Sequence, residues 1–245
     1  DHLLTVSFPT GIQAATADWE APFEIRTREV DPFTNDRLKK GPELERQALQ
    51  GFIDVQDETG GVALFTKGIR EAGTVSDGQA IINLTLFRAT SNTFPIHNDL
   101  LIGFEEETSQ CIGPQCFEYA LYFHAKAAPG EVFSECRRYQ TDLLAAQVGA
   151  GRQGDRPETE SLFTLRDART GVSAVKRSEE GDALILRLFN PTGEAIRETV
   201  AFGRPIRQAA LTDMKEEDSQ PLRLNGQTAD VGLPPFKIVT LRVEF

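Results

Sequence analysis

The feature that most constrains the fold of this chain is a hairpin pattern at residues 51–69, Gly-Phe-Ile-Asp-Val-Gln-Asp-Glu-Thr-Gly-Gly-Val-Ala-Leu-Phe-Thr-Lys-Gly-Ile. Because strand side chains alternate between two faces, residues 52–57 predict a strand with Asp54 and Asp57 on opposite sides. Turn residues and two glycines follow, and residues 62–66 predict the return strand. The segment therefore predicts two antiparallel strands joined by a tight turn.

The same period-two alternation recurs along much of the chain. Residues 83–88, 117–124 and 236–243 alternate in this way, and residues 183–189 form a nearly continuous apolar run that is typical of a central strand. Asp-Gly, Asn-Gly and Pro-Pro pairs separate such runs and indicate turns. The sequence therefore predicts an all-β fold.

One segment, near residues 131–148, predicts a helix. Its apolar side chains recur at helical spacing, and they are Val132, Phe133, Cys136, Tyr139, Leu143, Leu144 and Val148. Gly149 and Gly151 are typical of a helix end. We interpret the apolar stripe as a packing face. Residues 42–49 fit a short helix or a loop equally well.

A polar, glycine-rich stretch at residues 149–161 is the best boundary in the chain. It is poor in apolar side chains, as flexible linkers are. We therefore predict a larger β-domain at residues 1–150, a linker at 149–161 and a smaller β-domain at 161–245.

The overall charge limits the classes of partner. The net charge is −11 and the pI is about 4.9, whereas nucleic acids and anionic membranes bind basic surfaces. We therefore expect no nucleic-acid and no membrane partner. No run approaches the roughly 20 apolar residues of a membrane span. The start lacks the pattern of a signal peptide and an initiator Met, so we expect the numbering to begin inside a longer protein, although signal-peptide cleavage could leave the same start.

The cysteines indicate a reducing compartment. There are three, Cys111, Cys116 and Cys136, and an odd number at these spacings is a poor disulfide framework. The C-x4-C spacing of the first two differs from the usual zinc pattern. We therefore expect reduced thiols in a cytoplasmic protein.

Candidate chemistry is sparse. Of the three histidines, His2 lies at the terminus, His97 in a polar loop and His124 at the end of a strand. No histidine metal motif, serine nucleophile motif or phosphate-binding loop is present. We therefore predict no catalytic residue and no metal ligand in this chain.

Arg88 and His124 are the substrate-rim candidates, because each ends an apolar strand and strand-end loops often carry function. A satisfied structural role is the competing interpretation for both. For Asp54 we favour a carboxylate bonded to nearby backbone N–H groups over a sugar contact. Trp19, between Asp18 and Glu20, fits a surface aromatic that could stack on a sugar, whereas the tyrosines fit core positions.

Five stretches of the chain also resemble one family, the C-terminal β-region of family 38 α-mannosidases. The hairpin is similar to the family pattern Phe-x-Asp-Val-Ser-Asp-Gly-x-x-Gly-Leu-Ala-Leu-Leu-Asn-x-Gly. Residues 84–90, 110–124, 186–194 and 235–241 resemble further family stretches in the same order, including Phe-x-Tyr-Ala-Leu-Tyr-Pro-His and Leu-Arg-Leu-Tyr-Asn-Pro-Thr-Gly-Glu. Phe123 stands where the family has Pro, and Thr66 where it has Asn.

The resemblance implies a parent enzyme, a retaining exo-acting α-mannosidase that acts on a mannosyl conjugate such as mannosylglycerate. In that family an N-terminal barrel holds the nucleophile and a divalent metal, usually zinc. This chain resembles the later part of a large mutarotase-like β-sandwich followed by a smaller C-terminal β-sandwich. The implied role is non-catalytic, with no cofactor of its own, and the implied partners are the N-terminal catalytic domain and a mannosyl carbohydrate.

Two other classes of function remain open at this stage. An autonomous carbohydrate-binding β-sandwich module predicts exposed, coplanar aromatic side chains. An assembly module predicts an oligomer, in the simplest case a homodimer.

Overall fold

The computed structural model describes residues 2–32, 46–90, 110–149, 151, 157–217 and 219–245. These residues form two compact units: the first contains residues up to 22 and 26–128, and the second contains residues 23–25 and 129–245. About half of the described residues lie in strands, and one described segment is helical. The predicted all-β fold is therefore confirmed, together with the presence of one helix.

In the described residues, ten strands precede the helix, and they form two five-stranded sheets. The strands are β1 (His2–Pro9), β2 (Thr16–Ala21), β3 (Glu24–Glu29), β4 (Asp31–Pro32), β5 (Arg46–Ala48), β6 (Phe52–Gln56), β7 (Gly61–Lys67), β8 (Glu71–Ser76), β9 (Ala80–Ala89) and β10 (Glu118–His124). One sheet has the order β1-β9-β8-β4, with β5 also paired to β8, and the other has the order β10-β7-β6-β2-β3.

Apolar side chains from both sheets form the core of the first unit. Ile53, Val55 and Leu64 of the β6–β7 hairpin pack with Ile82 and Leu84 of β9 in one buried cluster. The hairpin itself is in the predicted register, from Phe52 opposite Phe65 to Gln56 opposite Gly61. Its polar face, which carries Asp54 and Gln56, is therefore turned away from this cluster.

The second unit contains the helix α1 (Pro129–Gln140) and nine strands. The strands are β11 (Phe163–Leu165), β12 (Gly171–Arg177), β13 (Leu184–Phe189), β14 (Ile196–Phe202), β15 (Gln208–Thr212), β16 (Ser219–Pro221), β17 (Leu224–Asn225), β18 (Thr228–Leu233) and β19 (Ile238–Glu244). They form sheets in the orders β11-β14-β18-β17 and β12-β13-β19-β15-β16. Leu186, Leu188, Val200 and Leu241 contribute to a core shared by the two sheets.

The helix is shorter than the pattern predicted. It ends at Gln140, and Val132, Phe133 and Cys136 are its buried apolar side chains. Leu143 and Leu144 are 99% and 98% exposed in an irregular segment, so their assignment to a helical packing stripe was wrong. Helices in proteins are stabilised mainly by a packed face, and that packing ends where the buried residues end.

Two further expectations meet the structure only in part. Residues 46–48 form β5 rather than a helix or loop, and residues 42–45 lie outside the described residues. The predicted boundaries at 1–150, 149–161 and 161–245 stay predictions, since residues 150 and 152–156 are also outside the described ranges. No helix in the described part of the chain is long and apolar enough to cross a membrane.

Candidate functional site

His124, one of the two rim candidates, forms a buried pair with Asp54. The distance between His124 Nε2 and Asp54 Oδ1 is 2.9 Å, and the side chains are 4% and 0% exposed. The other ring nitrogen, Nδ1, lies 2.7 Å from the backbone oxygen of Ala125. A carbonyl oxygen only accepts hydrogen bonds, so Nδ1 carries a proton. A second proton then lies between Nε2 and the carboxyl group.

Gly61 makes this pair possible. It lies directly opposite His124 in the pairing of β7 with β10, and opposite Gln56 in the pairing of β6 with β7. A Cβ atom on Gly61 would lie 2.3 Å from Cε1 of His124 and 2.6 Å from Nε2. The imidazole therefore crosses β7 over the space that any other residue would fill, and reaches Asp54 on β6.

An aromatic stack holds the imidazole from the side. Tyr122 lies next to His124 on the same face of β10, with ring centroids 5.3 Å apart and an interplanar angle of 21°. Phe65 continues the stack, 5.4 Å from Tyr122. The imidazole thus has one orientation, with one nitrogen toward Asp54 and the other toward Ala125.

The residues after His124 are bound to the hairpin by further hydrogen bonds. The side-chain amide of Gln56 donates to the oxygen of Ala127 and accepts from its N–H, both at 3.0 Å. Lys126 Nζ lies 2.5 Å from Glu58 Oε1. We call Asp54, Gln56, Gly61, His124 and Ala127 the clamp, because they fix the end of β10 to the β6–β7 hairpin.

The environment of the clamp shifts the pKa of Asp54 upward. Burial raises the pKa of Asp54 above its usual range, the hydrogen bond and charge of His124 act in the opposite direction, and the charge of Asp18 raises it further. Asp18 is the residue of β2 that pairs with Asp54. The second oxygen of Asp54, Oδ2, is buried and has no hydrogen-bond partner among the described residues.

The predicted hydrogen-bond partner of Asp54 was therefore wrong. The carboxyl group bonds the imidazole of a residue 70 positions away, rather than nearby backbone N–H groups. Asp57 does have local partners. It accepts from the N–H and hydroxyl of Thr59 and the N–H of Gln13, and these bonds lower the pKa of Asp57. The two carboxyl groups therefore have separate sets of partners.

Arg88, the second rim candidate, lines an open cleft of about 610 Å³ in the first unit. The cleft is lined by Lys67, Gly68, Ile69, Arg70, Glu71, Thr85, Leu86, Phe87, Arg88, Cys116 and Phe117. Arg88 Nη2 lies 3.3 Å from both carboxylate oxygens of Glu71, and Arg46 lies 3.9 Å from the same carboxylate. The Arg88 side chain is 44% exposed, so it is accessible to a ligand.

The structure does not bring the two candidates together. His124 pairs with Gly61 at the start of β7, whereas the cleft contains Lys67 at its end. Six residues of extended strand separate those positions by roughly 20 Å. His124 and Arg88 therefore belong to opposite ends of the first unit, and a direct substrate role stays a prediction for both.

The other residues singled out in the sequence have different outcomes. Trp19 is 2% exposed and packs in the core cluster, so its interpretation as a surface aromatic was wrong. Successive strand residues face opposite sides, and polar neighbours therefore do not make Trp19 exposed. His2 lies edge-on to Phe87. His97 lies outside the described residues.

Asn190 gives the Asn-Pro-Thr-Gly stretch a structural role in the second unit. Its amide nitrogen donates to the backbone oxygens of Glu194, Leu233 and Pro234, and its oxygen accepts from the N–H and hydroxyl of Thr192. The residue is fully buried. This side chain ties two loops together and has no free capacity for a ligand.

Sequence reasoning missed a buried carboxylate, Glu198, in the same unit. It accepts from the backbone N–H groups of Arg166 and Thr199 and from the hydroxyl of Thr170, at 2.5 to 2.8 Å. It is 0% exposed. The signal was present, since Glu198 interrupts the alternation of β14 with a charge on its buried face. Its satisfied bonds indicate a structural role.

Among the residues that the structure describes, no group of three or more His, Cys, Asp or Glu side chains is arranged to hold a metal ion. The divalent metal implied by the family resemblance therefore has no fitting set of ligands in these ranges.

A family of known proteins matches part of the second unit. Residues 171–241 match the family described as "Glycosyl hydrolases family 38 C-terminal beta sandwich domain". The chain resembles the C-terminal β-region of family 38 α-mannosidases. Two stretches that carry this family 38 resemblance, the hairpin and residues 117–124, meet in the clamp.

Relatives extend the match over the whole chain. The "Putative mannosylglycerate hydrolase" of Halalkalibacterium halodurans is 26% identical over 251 residues, which cover 100% of this chain and 26% of the relative. A crystal structure of an alpha-mannosidase from Enterococcus faecalis V583 superposes with a TM-score of 0.77 at 28% identity, covering 99% of this chain and 26% of that protein. A second family 38 structure from Enterococcus faecalis gives 0.76 at 27% identity. The chain thus spans about a quarter of the length of these relatives.

Proposed function

We propose that this chain is the non-catalytic C-terminal β-region of a family 38 α-mannosidase, and that it supports an N-terminal metal-dependent barrel. The observation that carries the proposal is the coverage of the relatives. Nearly all of this chain matches them, yet it accounts for only 26% of their length. The remaining three quarters leave ample room for a separate catalytic domain.

We also propose a substrate class and a cellular location for the parent enzyme. The name of the Halalkalibacterium protein supports a mannosyl conjugate as the substrate of the parent enzyme, and therefore a role in mannose metabolism. Cys111, Cys116 and Cys136 all lie in the described residues and form no disulfide bond, which is consistent with a reducing, cytoplasmic location. Arg88 is better placed than His124 to contact a substrate, since it is 44% exposed whereas the His124 side chain is 4% exposed.

Activity of the chain alone tests the proposal. The 245-residue chain is assayed on an aryl α-mannoside with Zn²⁺ supplied, beside a protein that joins it to a family 38 barrel. We expect turnover only from the joined protein, because the described residues contain no cluster suited to a metal. Robust, metal-dependent turnover by the isolated chain contradicts the proposal.

The role of Arg88 is tested in the joined protein. We expect Arg88→Ala to raise KM more than it lowers kcat, because a rim contact mainly binds the ground state. Arg204→Ala in the second unit is the matched control, as it removes an Arg whose nearest carboxylate contact is also long, 3.9 Å to Glu160. If the two variants have equal kinetics, Arg88 does not contact the substrate.

The two alternative functions, an assembly module and a carbohydrate-binding module, predict different measurements. Light scattering of the chain that shows a discrete dimer favours an assembly role, and a monomer opposes it. Calorimetry with free mannose tests the carbohydrate-binding module. The burial of Trp19 removes the strongest stacking candidate for that module, so we expect no measurable heat from mannose.

A further inference from the structure

The cleft that contains Arg88 is a positively charged region on an acidic protein. Its lining carries three positive side chains, Lys67, Arg70 and Arg88, and one negative, Glu71, which gives a net charge of +2. Counting the pairing residues outside the lining, Arg46 and Glu118, leaves this value unchanged. The whole chain has a net charge of −11. A concentration of positive charge in a concave surface attracts anions.

Arg70 is the cation in this cleft that has no carboxylate partner. Its Nη1 contacts the backbone oxygen of Gln50, and within the described ranges its guanidinium meets no Asp or Glu. Lys67, by contrast, is paired with Glu118 at 2.7 Å, and Arg88 is paired with Glu71. A guanidinium has five N–H donors, so most of the hydrogen-bonding capacity of Arg70 is open.

A buried hydroxyl in the lining of the same cleft also lacks a partner. Thr85 is 6% exposed, and its Oγ1 forms no hydrogen bond with any described group. Buried polar atoms are normally satisfied, so an unpartnered hydroxyl in the lining of a cleft that also carries an accessible cation leaves a hydrogen bond for a ligand to make. Phe87 and Phe117, with parallel rings 6.1 Å apart, supply an apolar wall.

We propose that this cleft binds an oxyanion, a carboxylate or a phosphate carried by a small organic ligand, through Arg70 and the Thr85 hydroxyl. Arginine matches the planar geometry of these groups with two parallel N–H donors. The hydroxyl of Thr85 donates to the same anion. The cleft volume, about 610 Å³, suits a ligand of this class. The proposal does not rest on the role in a parent enzyme, because it concerns binding to the chain itself.

Titration of the 245-residue chain tests this proposal with three probes of similar size. Sodium glycerate represents the carboxylate, glycerol 3-phosphate the phosphate, and glycerol the neutral control. We expect binding of at least one anion with a Kd on the order of millimolar that weakens as salt is raised, and no binding of glycerol. The anion that binds more tightly shows whether the cleft prefers a carboxylate or a phosphate. Equal affinity for glycerol, or no binding of either anion, overturns the proposal.

Two variants with opposite expected effects separate binding from folding. Arg70→Gln removes the open cation and should weaken the anion about tenfold or more. Glu71→Gln removes the only negative charge among the described lining residues and should tighten binding a few-fold. A folding defect cannot produce that gain. Arg204→Gln, in the second unit, serves as the control for general charge. Unchanged affinity in Arg70→Gln, or weaker binding in Glu71→Gln, contradicts the proposal.

Discussion

The two ends of strand β7 carry polar groups of opposite kinds. At Gly61, the clamp buries an aspartate and a histidine and gives both ring nitrogens a partner. At Lys67, no described group supplies Arg70 with a carboxylate or the Thr85 hydroxyl with a hydrogen bond. A buried, paired group stabilises the fold and is hidden from ligands, whereas an accessible group is hydrated at little cost to stability and can bind a ligand. One end of the unit is therefore suited to structure and the other to recognition.

Removing the imidazole should have the largest effect on stability. His124→Ala leaves the carboxyl group of Asp54 buried with neither oxygen bonded, and loss of one partner of a buried pair costs about 3–5 kcal/mol. The free energy of unfolding is measured by urea denaturation at pH 7. A loss below about 1 kcal/mol would show that the clamp is no more structural than the cleft.

Gly61→Ala tests the same end without removing a polar group. The new Cβ would overlap the imidazole, so His124 must leave its position or β10 must move. We expect a loss of about 2–3 kcal/mol, in the range of overpacked cores. Gly232→Ala is the matched control, because it is also a strand glycine but a Cβ there meets no atom within 4 Å. Equal stability of the two variants would contradict the close approach at Gly61.

The pH dependence distinguishes the buried aspartate from the exposed one. Because burial raises the pKa of Asp54, the folded chain holds a proton that the unfolded chain releases above about pH 4. The contribution of Asp54 to stability is therefore lost as pH rises through its folded pKa. Asp54→Asn, which stays neutral, should flatten this fall when urea denaturation is compared from pH 4 to 7.

Asp57 should behave with the opposite sign. Its pKa is lowered by its bonds to Thr59 and Gln13, so its contribution is present above the unfolded pKa and is lost as pH falls through the folded value. Asp57→Asn should therefore reduce the loss of stability below about pH 4. The same slope in both variants would show that burial does not separate the two carboxyl groups.

The smallest effect on stability is expected in the cleft. Arg88→Ala removes an ion pair in which Arg88 and Glu71 are 44% and 35% exposed, and solvent screens such pairs to less than about 1 kcal/mol. Thermal unfolding provides the measurement, with His124→Ala as the reference from the other end. If Arg88→Ala destabilises the chain as much as His124→Ala, the cleft is part of the structural framework.

The elements of the clamp could be predicted from sequence, but their meeting could not. Alternation placed Asp54 on one face of β6 and His124 on one face of β10. Nothing local indicates that β10 pairs with β7, since the partners are separated by more than 50 residues along the chain. The same long-range pairing places Arg88 and His124 at opposite ends of one unit, although both end an apolar strand.

The errors have a common physical cause, which is that tertiary packing decides burial. Trp19 lies between two carboxylates, yet its own side chain faces the core. Leu143 and Leu144 continue a helical stripe, yet no buried surface extends to them and the helix ends first. The five family-like stretches were more informative than periodicity because they span whole elements, and the comparisons confirm the resemblance.

The glycine opposite His124 also has a consequence for folding. β10 returns to the hairpin after a long excursion, and neighbouring strands can slip against each other while keeping their hydrogen bonds. A slip of two residues keeps the faces but sets Tyr122 or Lys126 against Gly61 and leaves Asp54 without its donor. Each misaligned pairing thus leaves the buried carboxyl group of Asp54 without its hydrogen-bond donor. The clamp therefore selects the correct alignment of two distant segments as the chain folds.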